Sequence, residues 1–105
     1  MRSTMVKHIV VWKLKDSAHG NTKAENAQLI KAKLEALNGK IDGMTLLEVG
    51  IDFSKTDQSG DVVLYSVFDS KEHLDRYQEH PEHKAVMPFI MEARIERRVI
   101  DFVVS

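Results

Sequence analysis

Residues 77–83 read YQEHPEH, so a tyrosine and two of the chain's five histidines share one short stretch. Histidine has an unperturbed pKa of about 6.5, which lets it take and give protons near neutrality. A tyrosine hydroxyl beside it can donate a hydrogen bond to a developing enolate oxygen. A neutral base plus such a donor is what an aldol- or Claisen-type closure requires. His8, in the N-terminal apolar segment, is a third candidate because it alternates in register with Val10 and Trp12. If that face turns toward helices, His8, Tyr77 and His83 line one cavity.

Each candidate also has a plainer reading. His83 lies two residues after Pro81, in the first turn of a new helix, where it would fix the corner by hydrogen bonding. Tyr77 stands three residues after Leu74, the spacing of a core aromatic with its hydroxyl at the edge. His8 would be a hydrogen-bonded histidine between sheet and helix. His80 closes the helix before Pro81, where a histidine suits the dipole. His19 falls in a loop and His73 at a solvated helix start, and neither is assigned a role. A transition-metal site is weakly signalled: Pro81 breaks the helical register that would align His80 with His83, and Glu79 and Glu82 are expected to face solvent. Asp101 interrupts an apolar strand, and a hydrogen bond to neighbouring backbone or to arginine is expected of it. Glu92, Arg94, Glu96, Arg97 and Arg98 read as a solvated strand entry or a dimer rim.

The elements that must position these groups follow from the patterning. The chain has 105 residues, 43% hydrophobic and 30% charged, with a net charge of -1, which fits one folded domain. Residues 1–4 are expected to be a disordered leader. No basic stripe marks a nucleic-acid surface, and no apolar run approaches the length of a membrane span, so neither partner is expected. The N-terminus lacks the pattern of a signal peptide, and the chain has no cysteine, which together place it in the cytoplasm. There is no Gly-rich phosphate loop and no nucleophile elbow, and no cofactor is expected.

Val6–Leu14 is rich in β-branched residues and reads as a strand. Thr22 or Asn21 caps a helix whose apolar stripe is Ala27, Ile30, Leu34 and Leu37, with Gly39 ending it. Met44–Asp52 and Asp61–Phe68 form an antiparallel hairpin across a turn-rich loop. Ser70 caps a second helix, Pro81 begins a third, Pro88 is expected to kink or divide it, and Arg94–Val104 is a last strand. The order is β-α-β-β-α-β, an α+β ferredoxin-like arrangement with a four-stranded antiparallel sheet and helices on one face. The other sheet face is substantially apolar and has no third layer. Two copies packing sheet to sheet, a homodimer, would cover it.

Four segments, VKHIVVWKLKD, GMTLLEVGID, DVVLYSVFDSKEHLDRYQEHPEHKAV and RRVIDFVV, carry a resemblance spanning about residues 6–103. The chain resembles the stress-responsive A/B barrel domain family, also called Dabb, of the dimeric α/β-barrel superfamily. The most specific piece is the F-x-S helix start, Phe68 to Ser70, followed by Y-x-x-H-P-x-H. The resemblance implies a ferredoxin-like fold that dimerises into a barrel. It does not carry an activity by itself. One plant member is a polyketide cyclase whose base is a histidine at the H-P-x-H end, assisted by the tyrosine of that stretch, with a first-strand histidine in its pocket. On this chain those positions are His83, Tyr77 and His8.

Three functions stay open. One is a stress-related dimer with a pocket for a small hydrophobic or aromatic ligand and no turnover. Another is a cofactor-independent cyclase or isomerase with His83 as general base. The third is a small monooxygenase-like or haem-handling barrel protein.

Overall fold

The computed structural model describes residues 4–105, so most of the expected leader lies outside the described residues. The first strand, β1 (Val6–Leu14), alternates strictly between buried and half-buried positions. That period of two places Val6, His8, Val10, Trp12 and Leu14 on the covered face. A ribbon of two short strands, β2 (Ser17–Ala18) and β3 (Asn21–Thr22), leads into helix α1 (Lys23–Glu35). Thr22 is the cap, and it exchanges hydrogen bonds with Glu25 in a complete capping box. The expected stripe of Ala27, Ile30, Leu34 and Leu37 is buried.

After α1 come β4 (Met44–Ile51) and β5 (Val62–Phe68), paired as the expected hairpin from Ile51 opposite Val62. Then follow α2 (Lys71–Glu79), α3 (Pro81–Ala93) and β6 (Arg94–Val103). The sheet order is β4-β5-β1-β6, all neighbours antiparallel. This is the ferredoxin-like arrangement. The shortest dimension of the molecule, 17 Å, accommodates one layer of helices on one sheet and nothing more.

Of the kink or division expected at Pro88, the division does not occur: helix α3 runs through Pro88 without a break. Pro88 and Lys84 both lie on the solvent side, so the carbonyl that loses its amide partner faces water. Ile90 and Ala93 anchor the following turn in the core. The turn before β4 needs Gly43, whose φ is +76° and whose missing Cβ makes room for the ring of His73. A Cβ there would lie 2.0 Å from a ring carbon of His73.

The two sheet edges differ. Along β4, α1 satisfies the strand's outward backbone: Lys31 donates to the Val49 carbonyl at 2.6 Å, and Glu35 accepts from the Val49 amide at 3.0 Å. Just beyond the helix, Asn38 donates to the Leu47 carbonyl at 3.0 Å. That edge is blunted. The opposite edge, β6, has no such cover among the described residues, and its residues beyond Arg94 are exposed. The uncovered sheet face carries Ile9, Val11, Leu46, Tyr65, Ile100 and Phe102, and Ile100 is 63% exposed.

Candidate functional site

The covered face of the sheet brings the three sequence candidates together. His8 lies near the start of β1, with Ser66 of β5 opposite it on one side and Asp101 of β6 on the other. Only 2% of His8 is exposed. Ser66 donates its hydroxyl to the His8 carbonyl at 2.8 Å and pins the backbone there. The ring's Nδ1 lies 2.5 Å from Oδ1 of Asp101. With Nδ1–H donating to that carboxylate, Nε2 is left as the ring's acceptor. The partner expected for Asp101 was backbone or arginine, and the structure corrects this to His8.

Tyr77 projects from α2 onto the same face. The spacing with Leu74 buries both, and Tyr77 is wholly enclosed. Its ring is 6.3 Å from that of His8 and 5.1 Å from that of Phe68, centre to centre. Its hydroxyl is buried and has no hydrogen-bond partner among the described residues. Burial raises the phenol's pKa well above its ordinary value of 10.0, so the group stays protonated and remains a donor.

His83 completes the row from the first turn of α3. The corner exists because Pro81 starts α3 and forces His80 into extended geometry. His80 both ends α2 and caps α3, where its Nδ1 accepts from the Glu82 amide at 3.1 Å. His83 is thereby laid against Tyr77, with ring centres 4.3 Å apart. Its Nδ1 lies 3.3 Å from the Gln78 carbonyl, to which only an N–H can donate. Nε2 is then the basic nitrogen. Removal from water lowers the His83 pKa below 6.5, outweighing the Gln78 hydrogen bond, and the charge of Arg97 lowers it further. A neutral imidazole with a free Nε2 is the form a general base requires.

A cleft of about 350 Å³ runs between α2 and β6 beside this row. Its walls include Val6, Leu74, Phe102 and Val103, with Lys71, Asp75 and Asp101 as the polar groups. Asp101, the partner of His8, and Leu74, three residues before Tyr77, stand in its wall, whereas His8, Tyr77 and His83 do not line it, so the single cavity expected for them is not seen among the described residues.

The remaining histidines have structural partners. His73 takes Ser70 through Nδ1 at 2.7 Å and fills the space above Gly43. His19, in left-handed backbone at φ 55°, stacks on Phe89 with ring centres 4.1 Å apart. Glu79 is exposed and pairs with Lys84 at 2.9 Å. Asp101 and Arg97 are the residues near the row whose part was not read from the sequence. Alternation along the last strand was the available signal, and it needed a register to become a contact.

The architecture is that of a ferredoxin-like α+β domain, here with His8, Tyr77 and His83 in a row on its helix-covered side. The chain belongs to the stress responsive A/B barrel domain family, Dabb, whose model matches residues 6–104. A Streptomyces coelicolor protein described as uncharacterized is 31% identical over 81 residues, 77% of this chain and 81% of that one. A dimeric protein of unknown function and ferredoxin-like fold from Bacteroides fragilis is 32% identical, with a TM-score of 0.86 over 99% of this chain and 100% of that one. The hydroxynitrile lyase of Passiflora edulis has a TM-score of 0.80 over 96% of this chain and 94% of that one, at 16% identity, a likeness of fold alone. Among the described residues, no helix is long and apolar enough to cross a membrane.

Proposed function

We propose that the protein is a cytoplasmic homodimer, joined through its open sheet faces, whose protomers each perform cofactor-independent proton transfer on a small apolar or aromatic carbonyl compound. His83 is the base. Its Nε2 takes a proton from the carbon beside the carbonyl. The electron pair of the broken C–H bond moves onto the carbonyl oxygen, which the Tyr77 hydroxyl holds by a hydrogen bond. His8, fixed by Asp101, sets its ring edge-on to that of Tyr77.

The observation that carries this reading is the bare hydroxyl of Tyr77. A buried polar group without a partner costs about 1–3 kcal/mol, a cost a purely structural tyrosine would avoid as phenylalanine. Here the ring that bears the unused donor packs against a half-buried histidine whose pKa is lowered by its partial removal from water. The dimer is supported by the apolar open face and by the blunting of the β4 edge, which leaves that face and β6 for contact. The description of the Bacteroides fragilis relative as dimeric agrees with it. In such a dimer the exposed apolar side chains of that face, Leu46, Ile100 and Phe102 among them, would leave water.

Phenylacetone in deuterated water tests the chemistry without a known substrate. The wild type should catalyse deuterium incorporation at the benzylic carbon, and His83→Ala should lose that catalysis by about 100-fold or more. Equal rates for the two proteins would defeat the proposal.

A further inference from the structure

Directly opposed residues of an antiparallel pair share a face, so the register turns the open side of the sheet into rows. One row is Leu46, Val67, Lys7 and Phe102. The next is Glu48, Tyr65, Ile9 and Ile100, and the third is Gly50, Val63, Val11 and Arg98. The charges of this face are Lys7, Lys13, Glu48, Glu96 and Arg98. Lys7 rests over the ring of Tyr65, 5.4 Å from its centre, and Lys13 stands opposite Glu96 at the end of the sheet. Glu48 and Arg98 remain, both exposed, on the two outer strands β4 and β6. Three strand spacings, about 14 Å, keep them from pairing within one protomer. Next to Glu48 the face is hollowed. Gly50 carries no side chain, and a space of about 240 Å³ opens over it, with Val11, Val63, Asp52 and Phe53 in its walls. Along the chain, then, the hollow has a carboxylate residue on either side of Gly50.

We infer that Arg98 of each protomer enters the Gly50 hollow of a second copy of this chain and pairs there with Glu48, a contact that rests on the sheet-to-sheet dimer and fixes its orientation. With aligned strands, a two-fold axis at the centre of the sheet runs either across the strands or along them. An axis across the strands lays each strand on its own copy. Glu48 then approaches the partner's Glu48, and Arg98 the partner's Arg98. Like charges brought together out of water oppose association. An axis along the strands, between β5 and β1, lays β4 on the partner's β6. Gly50 then faces the partner's Arg98 directly, since both belong to the third row. Glu48 lies one row away, about 7 Å along the strand, and packed sheets stand about 10 Å apart, a span that a glutamate and an arginine bridge. The hollow takes the arginine stem, which would otherwise meet a side chain at position 50. A guanidinium suits a carboxylate through two parallel N–H donors. The two-fold axis makes the contact twice, as the self-complementary patch of a symmetric dimer requires.

Charge reversal followed by sedimentation tests the contact. Arg98→Glu sets Glu against Glu at both contacts, and Glu48→Arg sets Arg against Arg. Each should raise the dimer dissociation constant about 100-fold or more, with circular dichroism showing a folded chain. Mixed in equal amounts, the two variants should dimerise again, because the mixed dimer has opposite charges at both contacts. The chain carrying both substitutions should also regain its dimer. Gly50→Val fills the hollow. Its Cβ would lie 3.1 Å from Cγ1 of Val63, so a small shift of Val63 admits it. It should weaken the dimer about tenfold or more, and an unchanged dimer in folded Gly50→Val overturns the seat in the hollow. Single variants that dimerise as the wild type does, or that stay monomeric when mixed, overturn the pairing and leave the sheet-to-sheet dimer standing. A monomeric wild type defeats that dimer itself and the contact with it.

Discussion

The buried ring of His8 is held by a carboxylate on the outermost strand of the sheet. Its Nδ1 lies 2.5 Å from Asp101, across 93 residues of sequence. The side chain of Asp101 is 43% exposed, so the pair joins an enclosed histidine to the sheet's open flank. Removing the carboxylate leaves a buried ring nitrogen unpaired. Asp101→Ala should therefore cost about 1–3 kcal/mol in chemical denaturation. His8→Phe removes the stranded group, so the double variant should cost clearly less than the sum of the two single ones. Simple additivity would show that the contact carries no coupling.

Tyr77→Phe separates stability from chemistry. Because the hydroxyl has no partner among the described residues, its loss should leave the melting temperature unchanged or raise it. Phenylacetone exchange should nonetheless fall by roughly 10- to 100-fold, as the enolate oxygen loses its donor. A loss of more than about 1 kcal/mol in stability would mean that the hydroxyl is hydrogen-bonded in solution.

The open face predicts its own variant. Ile100→Glu places a charge on the 63% exposed position of the uncovered sheet. Sedimentation should show a dimer for the wild type and a folded monomer of 12.0 kDa for the variant. A wild type that sediments as a monomer at micromolar concentration contradicts the sheet-to-sheet dimer.

Burial of His83 also makes stability depend on pH. The folded chain holds this proton more weakly than the unfolded chain, whose histidine titrates near 6.5. Its contribution is therefore complete above that pH and is lost as the pH falls through the depressed folded value. His83→Gln should lose less stability than wild type between about pH 7.5 and pH 5 in urea titrations. Identical pH dependence in the two proteins would place His83 in water.

Much of this architecture is legible in local sequence, and the reasons are local. The capping box of Thr22 and Glu25, the stripe from Ala27 to Leu37 and the Pro81 helix start each act within a few residues. The row of His8, Tyr77 and His83 was reachable because each stands on an element whose buried face shows in its spacing. The contact of His8 with Asp101 was not, because it depends on the register of β6 against β1. A slip of one residue would turn Asp101 and Arg97 to the opposite face. The continuity of α3 through Pro88 was equally hidden, since it depends on Lys84 facing water and on Ile90 holding the next turn.

The pH profile of phenylacetone exchange tests the central claim, that His83 is the base, most directly. Above the uncatalysed rate, the wild-type rate should rise with pH to a plateau, with its midpoint below 6.5, where the half-buried imidazole becomes neutral. His83→Ala should show no such limb. A limb that persists unchanged in His83→Ala, or a wild type that never exceeds the uncatalysed rate, would contradict it.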